Sequence, residues 1–199
     1  MAVRRSICEE FYSRSADPWG FRTRWYEQRK RNIVAASLPQ RQFGCGWELG
    51  CSIGELTAAL APRCARLLAT DGNVRAVEEA RARVRAFPHV HVEHQIHPEE
   101  WPDEQFDLIV FSELGYNFDA GTLADMADRF RDTLSEDGTL IACHWRYDIE
   151  GCALNGDQVH LLLDARLELP QVVHHLESDF LLQIWSRDAR SVAARDGML

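Results

Sequence analysis

The sequence has no run approaching the roughly 18 apolar residues that a bilayer-spanning helix requires, no C-x-x-C pair, and no excess of positive charge. Each absence removes a class of function. Without an apolar run, and with no such run behind the charged start MAVRRSICEEFYSR, neither a membrane span nor a secretory signal is indicated. Lysine and arginine number 22 against 31 acids, for a formal net charge of −9. That balance excludes a broad phosphate-binding face, because non-specific nucleic-acid affinity comes mainly from cations meeting phosphates. The short basic segment Arg22, Arg24, Arg29, Lys30, Arg31 reads as a solvated helix face. Six cysteines (Cys8, Cys45, Cys51, Cys64, Cys143, Cys152) lack zinc-like spacing and are expected to be reduced and partly buried. His89, His91, His94 and His97 cluster without metal-ligand spacing and are expected at the surface. A cytoplasmic protein without a metal, a nucleic-acid partner or a membrane partner is the expectation.

What is there is an ordinary globular composition, 46% hydrophobic and 27% charged, over 199 residues. That length suits one domain with one core, spanning 1–199, with an N-terminal helical region over 1–40 and a core over 41–187. Helix is expected over Val3–Leu38, with Asp17-Pro18 as a start signal and Pro39 as the stop. The stretch Phe43–Asn73 reads as strand, glycine turn, helix and second strand ending on an acid. Helices then follow at Val74–Phe87, Leu123–Leu134 and Asp157–Ala165, alternating with strands at His89–Ile96, Phe106–Glu113 and Thr139–Trp145. Phe106–Glu113 is nearly all apolar, as a strand buried on both faces should be. Two last β segments, Leu167–Leu176 and Phe180–Trp185, suit an antiparallel hairpin. The pattern is that of an α/β protein with a mostly parallel sheet and helices on both faces.

Ligands of such sheets bind beyond the carboxyl ends of the strands, so Glu48–Gly54, Asp71–Asn73, Gln95–His97, Ser112–Asn117 and His144–Tyr147 become the candidate positions. Gly50 and Gly54 bracket a turn expected to leave backbone N–H groups free at a helix start. Asp71, 21 residues beyond Gly50, stands where an acid can take both hydroxyls of a ribose. The alternative is an ordinary tight turn with a helix cap. The turn reads Glu48-x-Gly50-x-x-x-Gly54 and lacks the G-x-G-x-x-G of dinucleotide sites. A carboxylate at Glu48 would repel a pyrophosphate but suits a cationic ligand.

This turn closely resembles the first motif of class I S-adenosylmethionine-dependent methyltransferases. The segments Asp17-Pro18-Trp19-Gly20-Phe21, Trp25-Tyr26-Glu27, Ser112-Glu113-Leu114-Gly115-Tyr116, His144-Trp145-Arg146 and Gly156-Asp157-Gln158-Val159-His160 further resemble methyltransferases similar to nodulation protein S. That family N-methylates the amine-bearing end of a deacetylated chitooligosaccharide. The likeness covers about Phe11–Trp185 and departs at Glu113-Leu-Gly-Tyr-Asn-Phe, where the usual pattern reads E-V-L-Y-Y-L.

The resemblance implies a Rossmann-like class I methyltransferase fold with a seven-stranded sheet, the cofactor S-adenosylmethionine with S-adenosylhomocysteine as product, and a small acceptor, an amino-sugar or another amine. It places the cofactor against Glu48, Gly50, Cys51, Gly54, Asp71 and Gly72, with Gln95 and Ile96 flanking the adenine and Ser112 and Glu113 near the sulfonium. Ile96 as plain core packing is the other reading. Tyr26 and Lys30, or Arg29 beside it, would meet the cofactor's carboxylate end. Trp19, Tyr116 and Arg146 would contact substrate. For catalysis the candidates are His144 as a base, with Asp157 and His160 at i, i+3 on one helical face; the other reading has Asp157 capping the helix and His160 packing. An O-methyltransferase and a non-catalytic cofactor-binding module are the competing functions, and a monomer or homodimer is expected.

Overall fold

The computed structural model describes residues 9–199. Seven strands form one sheet: β1 (Phe43–Leu49), β2 (Cys64–Asp71), β3 (Val90–His94), β4 (Phe106–Ser112), β5 (Leu134–Trp145), β6 (Gln171–Leu176) and β7 (Phe180–Ser186), in the order β3-β2-β1-β4-β5-β7-β6. The first five run parallel, and β7 is antiparallel to both β5 and β6. This is the doubly wound sheet with a terminal hairpin that the strand–helix alternation implies.

Helices α1 (Trp25–Ser37), α2 (Glu55–Leu60), α3 (Val74–Val84), α4 (Ala120–Thr133), α5 (Gly156–Leu167) and α6 (Val192–Arg195) complete the labelled elements. Successive side chains of a strand point to opposite faces, so the continuous apolar run of β4 serves two cores. Ile109 and Phe111 enter one with Trp47 and the α4 residues Met126 and Phe130. Leu108 and Val110 enter the other with Val34 of α1, Leu60 of α2 and Ile184. Burying every inner side chain of a central strand this way fixes the register, since a one-residue slip would exchange the two cores.

Local sequence sets the ends of the helices. The Asn73 side chain accepts from the amides of Arg75 and Ala76 at the start of α3. Asn155, not Asp157, caps α5, in a reciprocal pair with Gln158. The N-terminal region departs from one long helix. Residues 9–14 are helical, a turn follows, and α1 begins only at Trp25. Asp17 does not start a helix; its carboxylate accepts the amides of Phe21 and Arg22 at 2.7 and 3.0 Å, folding the chain back at Gly20 (φ 73°). Residues Val3 to Cys8 of the expected helix lie outside the described residues. No described helix is long and apolar enough to cross a membrane.

His97 corrects the surface expectation for its cluster. Its ring packs edge-on against Trp47, with Nε2 2.9 Å from Thr70 Oγ1 and Nδ1 2.8 Å from the Glu100 carbonyl, and burial lowers its pKa to about 4. His91 is exposed as expected.

Candidate active site

Strand order reverses between β1 and β4, both of which pair in parallel with one another while their crossovers lead to opposite faces. A crevice opens at the carboxyl ends of such a pair. Here it is walled by Glu48 and Ser112 at the ends of β1 and β4, by Gly50 and Glu113 in the loops that follow, and by Lys30 and Val34 from α1.

The glycine loop is held by β2. The amides of Gly50 and Cys51 both donate to the Thr70 carbonyl (2.8 and 2.9 Å), and the amide of Ser52 donates to Asp71 Oδ2 at 2.8 Å. The amides at Gly50–Ser52, expected to be free, are therefore engaged within the protein. Gly50 and Gly54 have φ of 71° and 78°, a region that only glycine enters cheaply. Gly54 also lets α2 approach α3, since a Cβ there would lie 2.9 Å from the Ala80 Cα.

Asp71 accepts a second amide, from Asn73, at 2.8 Å on Oδ1. Each carboxylate oxygen has two lone pairs, so one on each oxygen is left over. Burial raises the Asp71 pKa, and the two amides oppose that rise. Beyond it, the amide of Gln95 donates to the Asp71 carbonyl at 3.1 Å, and the buried Gln95 Oε1 has no partner. Ile96 is half-buried and Gly72 has open space where a Cβ would stand, with only the Gln95 carbonyl near, at 3.6 Å.

Glu48 is the unusual group. It is 2% exposed, and its Oε2 has no hydrogen-bond partner. Burial raises its pKa to about 8, tempered by the neighbouring Thr57 hydroxyl, which itself completes no hydrogen bond, and helped by the charge of Asp71. Buried carboxyls are ordinarily paired; this one faces the crevice.

Glu113 forms the opposite wall, in left-handed backbone conformation (φ 56°), the kind of strain that persists where the surroundings over-determine it. Its Oε1 accepts from Lys30 Nζ at 2.8 Å, and its Oε2 from the Tyr116 hydroxyl at 2.5 Å and the Trp145 amide at 3.3 Å. Lys30, the only lysine in the sequence, is 7% exposed and also pairs with Glu27 at 3.1 Å. Burial works against its charge, but Glu113 foremost, with Glu27, outweighs burial and the pKa is raised. Lys30 thus spans two protein carboxylates, a different partnership from the cofactor carboxylate expected of it. Arg29 makes a two-pronged pair with Glu177 instead (2.7 and 2.8 Å). Tyr26 packs edge-on against Trp145, carries Lys30 over its ring at 5.0 Å, and keeps a buried hydroxyl without a partner.

The three catalytic candidates are not arranged as the sequence suggested. His144 is 0% and His160 1% exposed. His144 Nε2 accepts the Gly115 amide at 3.0 Å, its Nδ1 lies 3.1 Å from His160 Nε2, and His160 Nδ1 lies 2.7 Å from Gln183 Oε1. Burial drives the His144 pKa well down and that of His160 to about 4. With both ring nitrogens occupied, His144 has no lone pair to offer the crevice as a base. Asp157 turns the other way, and its two oxygens accept from Arg146 Nε and Nη2 at 2.8 and 2.9 Å, which lowers its pKa. The i, i+3 pair is split between core and surface, and Arg146 is bound to its own chain. Trp19 packs among Phe11, Tyr12 and Phe21, while the Tyr12 hydroxyl meets Ser52 Oγ at 2.5 Å. The aromatic N-terminal segment therefore lies against the glycine loop.

Sequence reasoning passed over Glu27 and Glu55. Glu27 stands one turn before Lys30, a spacing that could have revealed it. Glu55 joins Arg83 (2.8 Å), Arg22 (3.6 Å) and Arg31 (3.9 Å) from three parts of the chain, which no local signal announces.

A seven-stranded sheet in this order, with a glycine loop after the first strand and an acid closing the second, is the class I methyltransferase fold. A family model described as Nodulation protein S (NodS) matches residues 9–170. The chain belongs to that family. Nodulation protein S of Bradyrhizobium diazoefficiens is 33% identical over 110 residues, 50% of this chain and 48% of that protein. The chain thus spans about half the length of the curated relatives it matches. Among solved structures, the N-methyltransferase NodS from Bradyrhizobium japonicum WM9 in complex with S-adenosyl-L-homocysteine aligns at a TM-score of 0.79 and 25% identity, covering 89% of this chain and 97% of that one. A candidate methyltransferase from Pseudomonas syringae is 45% identical at a TM-score of 0.74, covering 82% of this chain and 99% of the other.

Proposed function

We propose that this chain is an S-adenosylmethionine-dependent methyltransferase that methylates the nitrogen of an amino-sugar or another small amine. The observation that carries the reading is Glu48, whose buried Oε2 lacks a partner on the floor of the crevice. An unsatisfied buried carboxyl costs of the order of 1–3 kcal/mol, and a cationic ligand removes that cost. The nodulation protein S structure bound to S-adenosyl-L-homocysteine supports the identity of such a ligand.

The residues present fit the cofactor. Glu48 would take the ammonium of its amino-acid part, the remaining lone pairs of Asp71 would take the ribose hydroxyls, and Gly72, with open space where a Cβ would stand, would allow close approach. When bound, S-adenosylmethionine supplies a methyl group on a cationic sulfur that departs as a neutral thioether. The chain's own contribution is positional, and holding two reactants in line can replace a large part of the entropic barrier. The acceptor amine must be neutral to react. We assign Glu113 to that amine: it faces the crevice, and Lys30, Tyr116 and the Trp145 amide fix it. Lys30, paired to it, offsets its charge and so limits the pull of this carboxylate on an ammonium.

Titration calorimetry with S-adenosylhomocysteine tests the cofactor, and transfer of labelled methyl to glucosamine oligosaccharides, with mapping of the methylated atom, tests the acceptor. Binding together with N-methyl product is expected. Absence of binding rejects the methyltransferase reading, and methyl found on oxygen rejects the amine.

A further inference from the structure

The loop from Glu113 to Tyr116 carries the carboxylate assigned to the acceptor amine and the hydroxyl that donates to it, yet its conformation is costly. Glu113 has positive φ, and Gly115 is so enclosed that a Cβ would lie 2.5 Å from Val159 Cγ1 and 2.9 Å from His144 Nε2. The Gly115 amide, buried there, has one acceptor, His144 Nε2. We infer that His144, His160 and Gln183 form a directional hydrogen-bond chain whose role is to hold the Glu113–Tyr116 loop, making the two histidines positioning residues for methyl transfer.

The direction follows from donors and acceptors alone. An amide can only donate, so His144 Nε2 carries no proton and Nδ1 must. Nδ1–H then donates to His160 Nε2 at 3.1 Å, which obliges His160 to carry its proton on Nδ1 and to donate it to Gln183 Oε1 at 2.7 Å. Residues on β5, α5 and β7 are thereby fixed, the two histidines in one tautomer each and Gln183 in one amide orientation. The pair is insulated as well as ordered. The groups facing it are Lys30 from α1, Glu113 and Tyr116 from the loop itself, Asp157 from its own helix and His174 from β6. Of these Asp157 is paired to Arg146, and Lys30 to Glu113 and Glu27.

A proton on His160 would reverse the chain. Its Nε2–H would point at His144 Nδ1, moving the His144 proton to Nε2, where it would confront the Gly115 N–H donor to donor. The neutral amide of Gln183 guards against this, since a carboxylate there would stabilise the imidazolium. The substitution Gln183→Glu should therefore add a pH dependence beyond that of the unsubstituted protein. Relative to the wild type at each pH, the kcat/KM of the variant for the acceptor should fall at least tenfold between pH 8 and pH 6, with recovery on return to pH 8. Affinity for S-adenosylhomocysteine should stay within twofold throughout. The ratio to wild type cancels the titration of the acceptor itself. A ratio that stays constant across the range, or a fall shared equally by cofactor affinity, overturns the inference.

Imidazole ¹⁵N shifts of the unsubstituted protein, without any ligand, supply the second arm. Both His144 and His160 should be Nδ1–H tautomers at pH 7, and an Nε2–H tautomer at His144 also overturns it. Because the activity arm alone rests on the methyl-transfer reading, loss of that reading would show as wild type failing to bind S-adenosylhomocysteine, with the tautomers unaffected.

Discussion

Glu48 allows a quantitative test of the cofactor assignment. With a pKa of about 8, about nine in ten of these carboxyls carry a proton at pH 7 in the free protein. A ligand presenting an ammonium to Glu48 favours the carboxylate, so binding should expel close to a full proton. The ligand's own amine, held protonated at pH 7 by the carboxylate on the same carbon, takes back almost nothing. Net release should be about 0.9 proton per S-adenosylhomocysteine. Calorimetric titrations in buffers of different ionisation enthalpy yield that number as the slope of observed against buffer enthalpy. Release should vanish in Glu48→Gln, which keeps shape and loses the titration. The same raised pKa bears on stability: that contribution is fully present below about pH 4.5 and is lost as pH rises through about 8. The difference amounts to about 4–5 kcal/mol at 1.36 kcal/mol per pKa unit, so Glu48→Gln should make the free protein more resistant to urea at pH 9. Proton release below about 0.2 in wild type, or equal release in the variant, would refute the role given to this carboxyl.

Other perturbations have equally definite outcomes. Asp71→Ala removes a charged acceptor from two amides, worth roughly 1.5–3 kcal/mol each, and should lower thermal stability while raising the dissociation constant for S-adenosylhomocysteine by tenfold or more. Lys30→Met leaves Glu113 and Glu27 facing each other without a cation; stripping one partner from a buried pair costs about 3–5 kcal/mol, readable by urea denaturation, and the acceptor KM should rise more than the cofactor Kd. Acid should destabilise the fold through His160, whose folded pKa of about 4 lies below the ordinary 6.5. Its contribution is present above pH 6.5 and is lost as pH falls toward 4, about 3 kcal/mol in all, and His160→Asn should flatten that part of the stability profile.

Much of the architecture was legible in the residue order because its signals are local. Gly50 and Gly54 announce a turn, the apolar run of β4 announces a doubly buried strand, and Asp71 follows its strand at the spacing a βαβ unit requires. The antiparallel hairpin was likewise visible from two adjacent β segments. What escaped depends on contacts far apart in the chain. Nothing around His144 says that Gly115, 29 residues earlier, will occupy its Nε2, so a histidine at a strand end looked like a base. Asp157 looked like a partner of His160 because helical periodicity places them together, yet Arg146 drew one outward and Gln183 the other inward. Asp17-Pro18 carries a helix-start pattern, but two amides just beyond Gly20 claim the Asp17 carboxylate first.

The placement of Lys30 has a practical side. Reagents that seek amines find a single side-chain target in this protein, and it sits inside the crevice, buttoned between α1 and the loop after β4. A ¹³C-methyl tag placed there by reductive alkylation would give one lysine resonance, a built-in reporter whose shift follows whatever enters beside it.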